Sequence, residues 1–385
     1  MHPLYTQMPT TIFETMSARA RATGAINLGQ GFPDSGWPQD VLDVAATALL
    51  TGNNQYPSSL GLPDLREAVA AHYAAHQGVT LDPMREITIT SGATEALAAA
   101  IFALVEEGDE VVLFQPLYDA YLPLVRRAGG VPRLVRLAPP HWQFSAADLD
   151  AVFSPRTRLV ILNNPLNPSA SCFGRTALEL LATYAERFDA VVLSDEVWEH
   201  VVFDDRRHTS VLAVPALRDR SVKIGSGGKI FALTGWKIGW LCAASPLSQV
   251  LARSHQFLTF TTPPNLQAGI AHGLSKPLDW FSAMRGQFQR SRDRLVAGLT
   301  AAGYAMLPSD GTYFVSIDLA ASGISLDDVT VADRLLAAGV ATIPVSAFYA
   351  EAPVTSTLRL CFAKQDSVLD AAIERLAVAL PGLRS

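Results

Sequence analysis

Gly225-Ser226-Gly227-Gly228-Lys229-Ile230-Phe231-Ala232-Leu233-Thr234-Gly235-Trp236-Lys237 begins where an apolar, strand-like run, Ser221 to Gly225, ends. A buried strand thus hands over to small, flexible residues that carry one lysine, and a second lysine follows eight positions later. Open α/β sheets place their ligands just beyond strand ends. A lysine there can form an imine with an aldehyde, while the serine hydroxyl and the distal cation hold an anionic handle. Lysine is scarce in the chain: only Lys223, Lys229, Lys237, Lys276 and Lys364 occur, so the candidates for a covalent lysine are few.

Outward from this stretch, short β-rich runs alternate with helical patterns. Glu86–Thr90, Glu110–Phe114, Leu159–Asn163, Ala190–Ser194 and Gly239–Ala243 read as further strands, and Thr94–Glu107 as a helix ended by Gly108. Strands apolar on both faces and separated by helices indicate a largely parallel sheet covered on both sides. After about residue 275 a long helical pattern, Phe281–Ala302, leads into Gly311–Asp318 (strand), Val331–Gly339 (helix), Thr357–Phe362 (strand) and Val368–Leu380 (helix). The expected division is a large domain, 40–275, and a smaller α+β domain made of 276–385 and the Gly-, Pro- and Asn-rich segment 1–39.

Composition narrows the function classes. The chain has 385 residues, 49% hydrophobic and 17% charged, which is enough apolar material for a substantial core. A net charge of −6 argues against nucleic-acid binding, for which a basic face is expected. Cys172, Cys242 and Cys361 are widely spaced and form no CxxC pair, so they read as buried and inert, and no metal-ligand set is assigned. The most apolar run, Ala96–Val105, is half the roughly 20 residues a membrane span needs. No basic segment followed by an apolar one opens the chain, and a cytoplasmic protein is expected.

Six features converge on pyridoxal 5′-phosphate. Lys229 would carry the imine, its pKa lowered by Lys237 and by the cationic ring. Asp195, ending the run Val191–Ser194, can pair with the pyridinium nitrogen and keep it protonated. Taken alone, an aspartate there is more often a turn or N-cap residue. Asn163-Asn164-Pro165-Leu166-Asn167-Pro168 marks a rigid turn, from which Asn167 could donate to the phenolic O3′. Ser91-Gly92-Ala93-Thr94-Glu95 joins a strand to a helix whose first N–H groups suit a phosphate, although Thr94 and Glu95 also fit simple helix-start chemistry. Tyr118 or Tyr121 could stack on the pyridine ring, or both could simply pack. Arg359, alone in the apolar run Leu358–Phe362, suits either a substrate carboxylate or a structural ion pair.

Together with Ile26–Asp34, Asn54-Gln55-Tyr56 and Ser194-Asp195-Glu196-Val197, these motifs resemble the class I, fold-type I aminotransferases. Within that family the likeness is to the subgroup holding kynurenine/glutamine, methionine and N-succinyldiaminopimelate aminotransferases. The resemblance implies an α/β fold with a mostly parallel seven-stranded sheet, helices on both faces and a smaller α+β domain. It also implies a homodimer with shared active sites, in which Tyr56 reaches the phosphate of the neighbouring subunit. Ala93, Thr94, Ser226 and Lys237 would hold the phosphate, and Tyr118 would be the stacking ring. Gly29 and Asn167 would help Arg359 hold the substrate α-carboxylate.

Two departures from the family stand out. Trp198 replaces a tyrosine that donates to O3′ and helps keep the imine pKa low, so an abnormal titration of the cofactor imine is expected. Ala170 stands where glycine is usual, at a cost of about 1 kcal/mol if the backbone needs positive φ. The expected reaction is transamination of an L-amino acid with a 2-oxo acid through a Lys229 Schiff base. Trp37, Phe348 and Tyr349 suggest an apolar or aromatic lining, suited to methionine, glutamine, an aromatic amino acid or kynurenine. The alternatives are N-succinyl-LL-diaminopimelate as substrate, or a β-lyase acting on cystathionine or a cysteine conjugate.

Overall fold

The computed structural model describes every residue except His2, Gln7, Ser35 and Ser385. Its centre is a seven-stranded sheet. The strands are β1 (Ile87–Ser91), β2 (Glu110–Gln115), β3 (Val131–Arg136), β4 (Thr157–Asn163), β5 (Val191–Asp195), β6 (Ser221–Ser226) and β7 (Ile238–Ala243), in the spatial order β1-β7-β6-β5-β4-β2-β3. Strands β2 to β6 run parallel to one another, whereas β7 is antiparallel to both β1 and β6. Every residue of β2, β6 and β7 is buried, as a sheet covered on both faces requires.

Strand β3 has no counterpart in the sequence reading. It is an edge strand that pairs only with β2, alternates in exposure and contains Pro132. An edge position tolerates all three features, and together they erase the apolar signal of an inner strand. The helix after β1, here α1, spans Gly92–Leu104, starting and stopping earlier than expected. It stops early because Asp109 Oδ2 accepts the Glu106 N–H at 2.9 Å, so the chain turns before Gly108.

A second, four-stranded antiparallel sheet contains β8 (Ala305–Met306), β9 (Phe314–Asp318), β10 (Ile343–Pro344) and β11 (Thr357–Cys361) in the order β10-β11-β9-β8. The long helices α2 (Leu278–Ala302) and α3 (Asp366–Arg384) belong to this part of the chain and contribute Leu295, Leu299, Leu369 and Leu376 to its core. The N-terminal segment is tied here too. Ile26 and Asn27 pair in parallel with Val340 and Ala341, and Leu28 accepts the Cys361 N–H at 2.7 Å. Among the described residues no helix is long and apolar enough to cross a membrane.

Strand direction is what assembles the functional edge. Because β7 runs against its neighbours, its first residue lies at the edge where β1 and β6 end: Ile238 is opposite Ser91, and Gly239 is opposite Ser226. Lys237, immediately before β7, is thereby carried to the start of α1 and to the Ser226 turn.

Candidate active site

A cleft opens at this edge. Ala93, Thr94, Tyr118, Asn167, Asp195, Trp198, Ser226, Lys229 and Lys237 all line it. Nine positions chosen from sequence, scattered over 145 residues, therefore meet in one place. Gly29 and Arg359 stand next to it through Asn167. Tyr56 does not reach it: the side chain is exposed and lies edge-on to Phe260, ring centroids 5.5 Å apart.

One end of the cleft is built for an anion. The first N–H groups of an α-helix have no partner within the helix, and Gly92, Ala93 and Thr94 line the wall at the start of α1. Gly92 takes φ +71, and a Cβ on it would meet Lys237 Cε at 3.1 Å. At Gly239 a Cβ would fall 2.7 Å from the Gly92 carbonyl carbon, so only glycine lets β7 approach α1 this closely. Glu95 serves the helix start, accepting the Ser91 N–H at 3.0 Å and pairing with the buried His255 at 2.9 Å. Ser226 Oγ accepts the Lys229 N–H at 3.3 Å, at the head of the single helical turn Gly227–Ile230.

Lys229 is partly buried, and among the described residues its Nζ meets the Gly31 carbonyl at 3.4 Å and the ring of Trp198, 4.6 Å from the centroid. Neither Lys229 nor Lys237 has a carboxylate within ion-pair distance among the described residues. Desolvation lowers Lys229 to about 8 against the pull of Asp195, and the Arg359 and Lys237 cations push the same way. Tyr313 fixes the turn by donating its hydroxyl to the Lys229 carbonyl at 2.7 Å.

Asp195 is buried at the end of β5, and burial raises its pKa to about 6. Its Oδ2 accepts the Tyr121 hydroxyl at 2.8 Å, and its backbone carbonyl accepts from Asn163 Nδ2 at 2.9 Å. Asn163 Oδ1 in turn accepts the Asn167 N–H at 2.7 Å, which orients the Asn167 turn. Of the two tyrosines, Tyr118 faces the cleft and Tyr121 buttresses the carboxylate. Asn163 and Tyr121 are the site residues that the sequence did not assign. Asn163 ends a strand, as Asp195 does, and that position was the one available signal.

Arg359 is buried in β11 and has no carboxylate partner among the described residues. Nη1 donates to Asn167 Oδ1 at 2.9 Å and Nη2 to the Gly29 carbonyl at 2.5 Å, while Nε is buried without a partner. Phe314 lies 3.9 Å beneath the guanidinium, with Phe13 and Phe348 at 5.1 and 5.2 Å. Desolvation lowers this group to about 9, leaving it a cation at neutral pH. A buried cation paired only with carbonyl oxygens and ring faces is incomplete until an anion arrives.

Phe13 and Phe348 also wall an adjacent cavity, together with Ile12, Leu124, Tyr118 and Asp119. Of the aromatic residues expected around the substrate, only Phe348 is there. Trp37 is exposed, and Tyr349 turns away to donate to the Leu137 carbonyl at 2.7 Å. The backbone at Ala170 has φ +65, so the left-handed conformation that favours glycine is kept despite the methyl group.

The donor set fits pyridoxal 5′-phosphate: one cleft is lined by an anion cup with Lys237, by Asp195 held by Tyr121, and by Lys229 with no carboxylate partner among the described residues. A family profile described as aminotransferase class I and II matches residues 23–376. The chain is 42% identical to a methionine aminotransferase of Escherichia coli over 96% of both proteins. It is 41% identical to a probable N-succinyldiaminopimelate aminotransferase of Mycobacterium tuberculosis, again over 96% of each. It is 34% identical to kynurenine–oxoglutarate transaminase 1 of Rattus norvegicus over 91% of each. The crystal structure of an E. coli protein with methionine aminotransferase function superposes with a TM-score of 0.95 at 41% identity, covering 98% of this chain and 99% of the other. The M. tuberculosis N-succinyldiaminopimelate aminotransferase structure gives 0.94 at 40%, covering 98% and 100%. This family implies pyridoxal 5′-phosphate as cofactor, with an amino acid and an oxo acid as substrates. The chain belongs to the class I and II aminotransferases and has their seven-stranded α/β fold.

Proposed function

We propose that the enzyme moves the amino group of an uncharged, apolar L-amino acid, methionine or one like it, to a 2-oxo acid. The observation that carries this choice is the cavity beside Arg359: among the described residues its lining is aromatic, aliphatic and threonine side chains with Asp119 as the one charged group, and no Lys or Arg. A substrate with distal carboxylates would meet Asp119 there and find no cation.

Bound in the cleft, pyridoxal 5′-phosphate supplies an aldehyde carbon that exchanges amines and a ring that draws electrons from the substrate Cα. Ser226, Lys237 and the N–H groups of Ala93 and Thr94 would hold its phosphate, and Tyr118 would pack on its ring. Asp195 would keep a proton at the pyridine nitrogen, with Tyr121 aiming the carboxylate. Arg359 would take the substrate carboxylate through the donors that Asn167 and Gly29 leave free, the unpartnered Nε among them. Asn167 lends Oδ1 to Arg359 and keeps Nδ2 for O3′, so one side chain couples substrate and cofactor. Lys229, with its pKa lowered, is neutral often enough near pH 8 to take the proton from Cα and return it nearby. Tyr56, remote from its own cleft, reaches the phosphate in a second copy, so the active unit is a homodimer.

The test is a half-reaction on the holoenzyme without oxo acid, following the visible absorbance. Methionine, glutamine, phenylalanine, kynurenine and N-succinyl-LL-diaminopimelate are added separately. Methionine is expected to convert the cofactor fastest. A fastest conversion by the succinylated substrate overturns the apolar assignment. Pyruvate from cystathionine, with none of the five converting, replaces transfer by β-elimination.

A further inference from the structure

Away from the cleft, on the other side of the turn that carries Asp195 and Trp198, three histidines converge. His72 and His76 stand four residues apart on the helix Pro63–Gln77, and so on one face of it. His200 closes the turn after β5 and comes from 128 residues beyond His72. The three can each point a ring nitrogen at a common point, all within 4.8 Å of one another. The Nε2 atoms of His72 and His200 are 2.7 Å apart.

We propose that His72, His76 and His200 form a binding site for a borderline divalent cation, with Zn²⁺ as the best fit, held by three imidazole nitrogens and completed by water. Two histidines at i and i+4 on one helix face, with a third ligand from elsewhere, is a spacing that zinc accepts. Zn–N bonds of roughly 2.0–2.1 Å in a tetrahedron place ligand nitrogens about 3.3 Å apart. The His72–His200 pair opens slightly to reach that spacing, and His76 closes on both. Imidazole donors without thiolate select zinc and its neighbours over calcium or magnesium.

The protonation state is the one that a metal requires. Desolvation holds His72 down to about 2 and His200 well below its ordinary value, and lowers His76 too. The titratable and charged groups facing the cluster are Glu199, Lys223, His208 and Arg285. Glu199 offsets part of the added positive charge. His72 Nδ1 is buried without a completed hydrogen bond, and the Leu274 backbone faces the ring. Metal ligands commonly use their second nitrogen in this way, donating to a nearby carbonyl. Phe281 lies 4.6–5.0 Å from all three rings and shields one side of the site.

A neighbouring group, Glu196, Glu199 and His208, also comes together. Lys223 already supplies its cation, at 2.6 Å from each carboxylate. A metal there would have to displace a buried lysine, so the three-histidine site is favoured.

The test uses untagged holoenzyme, stripped with a chelator and titrated with Zn²⁺ by calorimetry, then with Co²⁺ as a spectroscopic probe. One Zn²⁺ per chain is expected, together with a Co²⁺ visible spectrum of tetrahedral intensity. His76→Ala, on a half-exposed helix position, should weaken binding at least about tenfold and abolish the Co²⁺ signal while leaving the circular dichroism unchanged. His200→Asn should do the same, and His141→Ala, at an exposed residue outside the cluster, should change neither. No uptake by the parent protein overturns the proposal, and so does uptake that survives His76→Ala.

Discussion

Lys223 and Lys229 lie on one strand–turn unit, yet among the described residues only Lys223 has acidic partners. Its ammonium donates to Glu196 and Glu199 at 2.6 Å each and to Gln77 at 3.0 Å, with the Tyr73 ring 4.3 Å away. Lys229 meets one carbonyl and one indole face. The first lysine is neutralised by the fold, and the second is left available for chemistry.

Opposite stability effects are expected from removing the two. Lys223→Met strands two buried carboxylates and should cost about 3–5 kcal/mol. Lys229 has a lower pKa folded (about 8) than unfolded (10.5), so the unfolded chain binds more protons between those values and stability rises with pH across that window. At pH 7 the charge is therefore a burden. Allowing for partial exposure, Lys229→Met should stabilise the cofactor-free protein by about 1–2 kcal/mol at pH 7, with the gain fading toward pH 10.5. Urea unfolding at pH 7 and pH 10 measures both; a destabilised Lys229→Met would contradict the assignment.

Arg359→Lys should lower kcat/KM for α-amino acids by about 10²-fold or more, because a point charge cannot replace two parallel donors to a carboxylate. A primary amine without the carboxylate should be affected far less. Equal losses for the two substrate types would show that Arg359 acts through the fold.

Trp198 offers its ring to the Lys229 ammonium where relatives of this subgroup are expected to offer a phenol. A cation over an indole is favoured by about 0.5–1 kcal/mol, which raises the pH at which the charge is lost. Trp198→Tyr should therefore lower the midpoint of the holoenzyme's visible pH titration by about half a unit or more. Superimposable titrations for the two proteins would count against it.

Tyr121 donates to the ionised Asp195, so Tyr121→Phe should raise the Asp195 pKa further. A hydrogen bond to a charged group is worth about 1.5–3 kcal/mol, and the acid limb of kcat/KM should move up by about one pH unit. The substitution removes one oxygen from a buried ring, so a merely structural effect would lower activity without moving the limb.

Ala170 occupies a left-handed conformation in a fully buried turn. Relief of that strain in Ala170→Gly offsets the added freedom of the unfolded chain, so the variant should be at least as stable as the parent. Ala170→Val, branched at Cβ, should lose about 2–3 kcal/mol. Thermal unfolding of the pair reads the contrast directly.

The inner strands were legible because each is a short apolar run followed by a turn with its own residue chemistry. β4, β5 and β6 lie within about two residues of where the run of Val, Leu and Ile placed them. The edge strand β3 was not legible, since its alternation and Pro132 resemble a loop. Lys229, Asp195 and the start of α1 were legible as candidates for the same local reason: each sits where a strand stops.

Long-range meetings were not legible. The sequence by itself determined the elements, the strand-end residues and the family to which they belong, because propensity, burial period and turn chemistry act over a few neighbouring residues. The tertiary structure decided that Lys237 joins α1, through the reversed direction of β7. It also decided that Tyr121 rather than Tyr118 meets Asp195, and that Arg359 finds Asn167 from 192 residues away and, among the described residues, no carboxylate. Those choices, and the lowered pKa of Lys229 that follows from them, depend on which groups packing removes from water and which it leaves facing one another.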